Sequence, residues 1–463
     1  MNEKKTFRSI IYFFILILCL TSLTGIKAQT KKISSQAKKA AAVGDQYFRK
    51  KDYRNAINKY SEAAELSPNY SYAHFWKGYA HYYLDEFDLA AEDLDKALNE
   101  GYKPLEVYKL RWYVNFNRKN YDAALYDAQK GLELEPTNHT MSLGVGDIYH
   151  AKGEYQKSID AYEKALKLNP NNGDALYFLA LNYSNIGDRA KQGQAASEAI
   201  KNGTTHIGEA YYLFGDSLEK ENKLNEAVEQ YKRAKSVKPD LHDAYIRLSD
   251  IYLNQNKLDE AIKITKEGLK LFPDDGILYT KLSEAYALSG RNVETIESAK
   301  KAAELLPDKQ TAYANLCRAY TDTQQYPQAI QACSDALKIN SDDGEMNFYL
   351  ARTYDLSNKR DTATGYYKKS LDLLKKYADD HPNDYKAVNL LGGAYFANGK
   401  IDKAIEAYKK GQELSPNLPK SYYNLGYMYI LKEDKNSARQ QYEALLKIDP
   451  SLAEKLKTAI EKK

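Results

Sequence analysis

Residues 143–172 read LGVGDIYHAKGEYQKSIDAYEKALKLNPNN, and residues 390–417 read LLGGAYFANGKIDKAIEAYKKGQELSPN. In each, a glycine (Gly146, Gly392) is followed three positions later by a tyrosine (Tyr149, Tyr395). After a turn come a small residue, an aromatic and another small residue: Ser158, Tyr162 and Ala165 in the first, Ala404, Tyr408 and Gly411 in the second. A proline, Pro170 or Pro416, closes the stretch. On both sides of the turn apolar residues recur three and four apart, the spacing of one helix face. Each stretch is therefore a pair of helices.

The pair returns about every 34 residues. Twelve repeats follow one another, starting at Ala37, Ser71, Leu105, His139, Gly173, Gly208, His242, Gly276, Gln310, Gly344, Tyr385 and Pro419. Counted from those starts, position 8 is mostly small, for example Gly44, Ala180, Ser249 and Gly426. Position 11 is tyrosine in nine repeats and position 32 is proline in eight, so the frame rests on many correlated positions. The same frame accounts for most of the 42 tyrosines, which makes tyrosine abundance alone uninformative.

On these residues the chain resembles tetratricopeptide repeat proteins of the exported bacterial kind. The resemblance implies an all-α, right-handed superhelical α-solenoid of about twelve helix-turn-helix units plus a C-terminal capping helix. One hairpin cannot bury its apolar face alone, but stacked neighbours do so continuously. Repeats 1–9 occupy 37–343 and repeats 10–12 lie within 344–463. The final helix is expected at 453–463, and a long second helix in repeat 10 carries an insertion near 375–384.

The first residues read as an address. Lys4, Lys5 and Arg8 precede the apolar run Ile10–Leu20, and Ala28 offers a cleavage point, so 1–28 is expected to be a signal peptide. A short segment, 29–36, then leads into the array. The expected location is periplasmic or extracellular, with no membrane insertion after cleavage; the alternative is an uncleaved N-terminal membrane anchor. Of the formal net charge of +4, Lys4, Lys5, Arg8 and Lys27 against Glu3 place +3 on 1–28. The remainder is nearly neutral with mixed signs, which gives no electrostatic case for nucleic acid.

Chemistry is sparse. The sequence has no HExxH, paired CxxC, glycine-rich phosphate loop or G-x-S-x-G elbow, and its seven histidines show no metal-ligand spacing. No enzyme activity, cofactor or metal is expected. Asp275 and Asp343, just ahead of Gly276 and Gly344, fit helix capping. Cys317 and Cys333 fall at positions 8 and 24 of repeat 9, facing each other across a hairpin; they are either a disulfide or two small buried thiols.

By resemblance, positions 2, 5, 9, 12 and 13 of the first helix line a concave groove. In repeat 2 these hold Tyr72, Phe75, Tyr79, Tyr82 and Tyr83, while the core positions 4, 7 and 11 hold His74, Lys77 and His81. Repeat 3 continues the face with Tyr113 and Phe116. Trp112, opposite Ala124 and Ala128, is assigned to packing. Farther along, the groove is acidic, with Asp147, Asp216 and Asp250 among its carboxylates. The Lys/Asn/Arg clamp by which some tetratricopeptide proteins hold a terminal carboxylate is missing, because Lys109 at position 5 is followed by Tyr113 at position 9. The expectation is a protein-interaction scaffold binding a protein or an extended peptide with basic residues. The alternative is a carbohydrate or cell-wall binder using the aromatic and acidic groove. Tyr79→Ala and Tyr82→Ala are expected to weaken binding while sparing thermal stability.

Overall fold

The computed structural model describes residues 32–462, where twenty-five helices and no strand occur. The expected signal peptide lies outside the described residues. Each repeat is a helix A and a helix B; in repeat 4 these are His139–Ala151 and Tyr155–Leu168. Two compact bodies divide at Glu221/Asn222, in the A–B turn of repeat 6.

The turn is built the same way throughout. Position 15 adopts a left-handed backbone in all twelve repeats, from 55° at Asn256 to 81° at Gly187. That conformation lets the next amide reach back to the carbonyl of position 11, as Glu154 does to Tyr149 and Asp52 to Tyr47 (2.9 and 3.0 Å). Eight of the twelve turn residues carry a side chain, so these repeats hold a strained conformer that glycine adopts freely. At the other end helix B stops at position 30 in most repeats, just ahead of the position-32 proline where there is one, as at Leu168 before Pro170. An Asn or Asp side chain often caps the following helix A: Asn138 accepts from the Met141 amide (3.0 Å), Asp275 from Leu278 (2.7 Å) and Asp343 from Met346 (2.9 Å).

Helices A and B meet at positions 8 and 24. A Cβ on Gly146 would sit 2.8 Å from the ring of Tyr162, and one on Gly392 2.8 Å from Tyr408, so tyrosine occupies the space glycine leaves. Repeat 3 reverses the order: Trp112 is buried among Ala124, Ala128, Met141 and Ile148. In repeat 9 the same two positions are Cys317 and Cys333, joined by a disulfide with Cα atoms 4.9 Å apart.

Two departures from the frame are visible. Helix B of repeat 10, Arg360–Asp380, has 21 residues where that of repeat 9 has 14, which adds about two turns. The last helix, Pro450–Glu461, begins three residues before the expected 453, because Asp449 caps it through the Leu452 amide and Pro450 takes its first turn. It buries Leu456 against Gly426 of repeat 12.

Candidate partner-binding surface

Helix A of repeat 2, Ser71–Tyr83, turns its polar residues inward. Asp93, buried on helix B, takes the Lys77 ammonium at 3.3 Å and faces the rings of His74 and His81 at 3.7 Å each. His74 Nε2 also donates to the Pro68 carbonyl at 2.9 Å, and His81 Nδ1 lies 2.6 Å from Glu86. Glu86, bonded to His81 and Arg54, is held below the usual carboxylate range. Repeat 3 repeats the device at the same positions: Arg111 reaches the Asp127 carboxylate at 2.6 and 3.0 Å, and Asn115 adds a bond of 3.0 Å. Burial raises the Asp127 carboxyl above its ordinary value despite that pairing. Ions pairing inside the A–B hairpin leave the aromatic rings to the other faces of the helix.

Those rings form a ladder across repeats 1–3. Phe48, at the end of helix A of repeat 1, lies 5.5 Å from Tyr79 and 5.7 Å from Tyr83. Tyr53 stacks on Tyr83 at 4.7 Å with planes 4° apart. Tyr82 meets Tyr113 of repeat 3 edge-on at 5.7 Å, and Phe116 continues toward Tyr121 at the same separation. Tyr72 donates to Asp45, which also accepts from Tyr60 (2.9 and 2.8 Å). Burial and a bond to Tyr83 push the Tyr79 phenol up to about 12. Beyond Tyr82, Phe87 lines an open polar cleft of about 510 Å³ with Asp85, Asp88, Asn117, Arg118 and Asn120.

Three expectations change here. Phe75 is 5% exposed and stacks on Tyr102 at 4.3 Å; it is core, because the segment leading into repeat 3 closes over it. Tyr72, Tyr79 and Tyr82 are half-buried, so alanine at 79 or 82 removes packing as well as surface; the rings left nearly half open are Tyr83 (45%) and Tyr113 (41%). Asp147, Asp216 and Asp250 of the acidic stripe are already engaged within the chain. Asp147 accepts from the Tyr162 hydroxyl, Asp216 from Gln192 (2.9 Å) and Arg189 (3.4 Å), and Asp250 pairs with Lys281 at 2.6 Å. Sequence reasoning missed Phe48 and Tyr53. Phe48 stands at position 12, so the frame moved one repeat back finds it; Tyr53, on helix B, gave no such signal.

Among the described residues no group of three His, Cys, Asp or Glu side chains is placed to hold a metal ion, and no helix is long and apolar enough to cross a membrane. What the fold and the ladder define is a helical repeat array presenting an aromatic face. The comparisons agree on the repeat. A family model described as TPR repeat matches residues 44–85, 146–187 and 392–433. Two described as tetratricopeptide repeat match 218–285 and 419–452. The chain thus carries tetratricopeptide repeats, in an all-α solenoid. It is 28% identical over 134 residues, 29% of its length, to small glutamine-rich tetratricopeptide repeat-containing protein 2 of Saccharomyces cerevisiae. It is also 28% identical over 102 residues, 22% of its length, to Hsp70-Hsp90 organizing protein 2 of Arabidopsis thaliana. These matches span 36% and 18% of the two relatives' own lengths. A solved structure of the APC/C hetero-tetramer Cut9-Hcn1 covers 92% of this chain and 96% of its own at 15% identity, with a TM-score of 0.45.

Proposed function

We propose that this chain is a non-catalytic interaction scaffold that docks a protein or an extended peptide segment on the aromatic face of repeats 1–3. The observation that carries the reading is the ring ladder ending in Tyr83 and Tyr113, both nearly half exposed while their neighbours are packed. A pre-packed ladder loses little side-chain entropy on binding, which favours it as a contact surface. Relatives named as tetratricopeptide repeat-containing and Hsp70-Hsp90 organizing proteins support a scaffold role. Carbohydrate binding is the weaker reading, because the flat side of Tyr83 is already taken by Tyr53 and ring edges with hydroxyls are what remain.

A photo-crosslinking residue placed at 83 or 113 is expected to capture a discrete partner segment, and one at Val293, 73% exposed, is expected to capture none. Equal capture at all three sites overturns the reading, as does binding confined to a glycan array.

The reading includes export, with 1–28 removed and the Cys317–Cys333 bridge suited to an oxidising compartment. N-terminal sequencing of the protein taken from cells should start at Gln29; a start at Met1 or Asn2 points instead to a retained anchor.

A further inference from the structure

The polar cluster buried in the hairpin of repeat 2 is short of protons. His74, His81 and Asp93 are all buried. Each imidazole spends one ring nitrogen away from Asp93. The Pro68 carbonyl can only accept, so His74 Nε2 carries its proton toward that oxygen. Glu86 is ionised, so His81 Nδ1 carries its proton toward that carboxylate. A neutral imidazole has a single N–H. The other two nitrogens, His74 Nδ1 and His81 Nε2, therefore turn lone pairs toward the two oxygens of Asp93, at 3.7 Å each. His74 Nδ1 is buried with no hydrogen-bond partner. Acceptors face an acceptor on both sides of one buried carboxylate, an arrangement that costs free energy.

One proton reverses the sign of that contact. On either ring it turns a lone pair into an N–H aimed at Asp93, and a small ring rotation then closes a charge-assisted hydrogen bond. The fixed charges that face the rings are balanced. Asp93 is met by Lys77 of the same helix at 3.3 Å, and Glu86 by Arg54 of repeat 1, on helix B, at 2.5 Å. Helix A of repeat 1 offers Asp45, which Tyr60 and Tyr72 occupy. Helix A of repeat 3 offers Arg111, committed to Asp95 and Asp127. Lys77 opposes a new cation beside Asp93, but its side chain is 23% exposed and can turn its ammonium to water. His81 stands between two carboxylates and His74 beside one, so His81 takes the first proton.

We propose that the hairpin of repeat 2 is a proton-operated latch, in which protonation of His81, then His74, tightens helix Ser71–Tyr83 against Asp93 as pH falls. Glu86 ties His81 to Arg54, and the adjacent Tyr53 is the ring that stacks on Tyr83. The same step thus fixes the junction of repeats 1 and 2 beneath the ladder. A buried histidine kept neutral by the fold acts the other way, since it must charge on unfolding and so weakens the fold in acid. A latch that takes up protons on closing is favoured as pH falls, across the range of about pH 8 to 5 in which histidine changes charge. The device belongs to the fold and holds whatever docks on the ladder.

Hydrogen exchange of the full chain tests it, each rate being divided by its intrinsic value at the same pH. Between about pH 7.5 and about pH 5.5, protection in Ser71–Tyr83 should rise about tenfold relative to Gln310–Asp322 of repeat 9, in a stretch free of histidine. His81→Gln should flatten that rise. Asp93→Asn, which keeps the shape and removes the charge, should abolish it. If either variant fails to fold, the parent still decides. Nitrogen NMR of its isotope-labelled histidine rings should show an imidazolium at the acid end whose two N–H protons are both shielded from solvent. Protection in this helix that stays flat or falls in acid overturns the proposal. So do shielded rings that remain neutral at the acid end, or a rise that survives Asp93→Asn.

Discussion

Repeats 3 and 4 join their two helices at the same pair of positions with opposite residues. Gly146 faces Tyr162 in repeat 4, and Trp112 sits among Ala124 and Ala128 in repeat 3. Neither residue type is fixed by the frame; what is held constant is the volume between the helices. That is the behaviour of a close-packed interior, which tolerates exchange when total volume is conserved and resists it when volume changes. The same contact accepts a sulfur bridge in repeat 9 and a bond between the Ser249 and Thr265 hydroxyls (3.2 Å) in repeat 7. A repeat can therefore change chemistry internally without changing its place in the stack.

The comparison breaks most visibly at high pH, because the two solutions differ in what they bury. The Gly/Tyr repeats bury phenols: Tyr60, Tyr162 and Tyr408 are all raised above the ordinary value of 10.0, chiefly by burial, and the first two also by the Asp45 and Asp147 carboxylates. A raised phenol keeps its proton in the folded chain after the unfolded chain has lost it. Stability is then fully present below about pH 10 and falls as pH rises above it. Denaturation midpoints should drop steeply in that range, with tyrosinate absorbance appearing in step with unfolding. Phenols that all titrate near 10.0 with the helices intact would falsify the packing argument.

Next in size is the exchange itself. Trp112→Ala should cost about 3–5 kcal/mol in chemical denaturation. The double change Trp112→Gly with Ala128→Tyr, which copies repeat 4 into repeat 3, should recover more than half of that loss. If the double variant is no better than the single one, then Met141 and Ile148 around Trp112 matter more than the exchanged pair.

Repeats 2 and 3 offer a finer contrast, since both bury an ion pair between helices. Asp127 is 1% exposed and Arg111 13%, whereas the Lys77 side chain opposite Asp93 is 23% exposed. Asp127→Ala leaves the largely buried Arg111 guanidinium with the Asp95 carboxylate alone, at 2.5 Å, and should cost about 3 kcal/mol. Asp93→Ala should cost less, because Lys77 can swing its ammonium to water. Equal losses would mean that the His74 and His81 contacts, not solvent access, set the cost in repeat 2.

How far the sequence revealed this follows from the range of each interaction. Gly146, Tyr149 and Pro170 mark a helix pair locally and Asp275 marks a cap, so the repeat was legible. The volume exchange at Trp112 was legible too, since both partners lie in one hairpin. Phe75 was not, because its burial depends on Tyr102, which approaches from the connection to the next repeat. The acidic stripe failed for the same reason: Asp250 is neutralised by Lys281 one repeat onward. Helical position gives the direction of a side chain; its exposure depends on how far the neighbouring repeat's side chain reaches.

That distinction sets the smallest stability effect and the sharpest functional one. Tyr79 touches Phe48, Phe75, Trp76, Tyr82 and Tyr83, so Tyr79→Ala should lower Tm along with binding, and the sequence-based expectation of an unchanged Tm is given up. Tyr83 and Tyr113 lie at the open edge of the ladder. Tyr83→Ala loses the stack on Tyr53, about 1 kcal/mol for such a pair, together with its contacts to Phe48, Tyr79 and Tyr82, and Tyr113→Ala loses the edge contact with Tyr82 and less. Combined, the two should leave the melt within a few degrees of the parent while removing capture of the partner in a pull-down. A double variant that melts far lower yet still captures its partner would place these rings in the core and move the contact surface elsewhere. A variant that keeps both melt and capture would show that the ladder packs repeats 1–3 together and binds nothing.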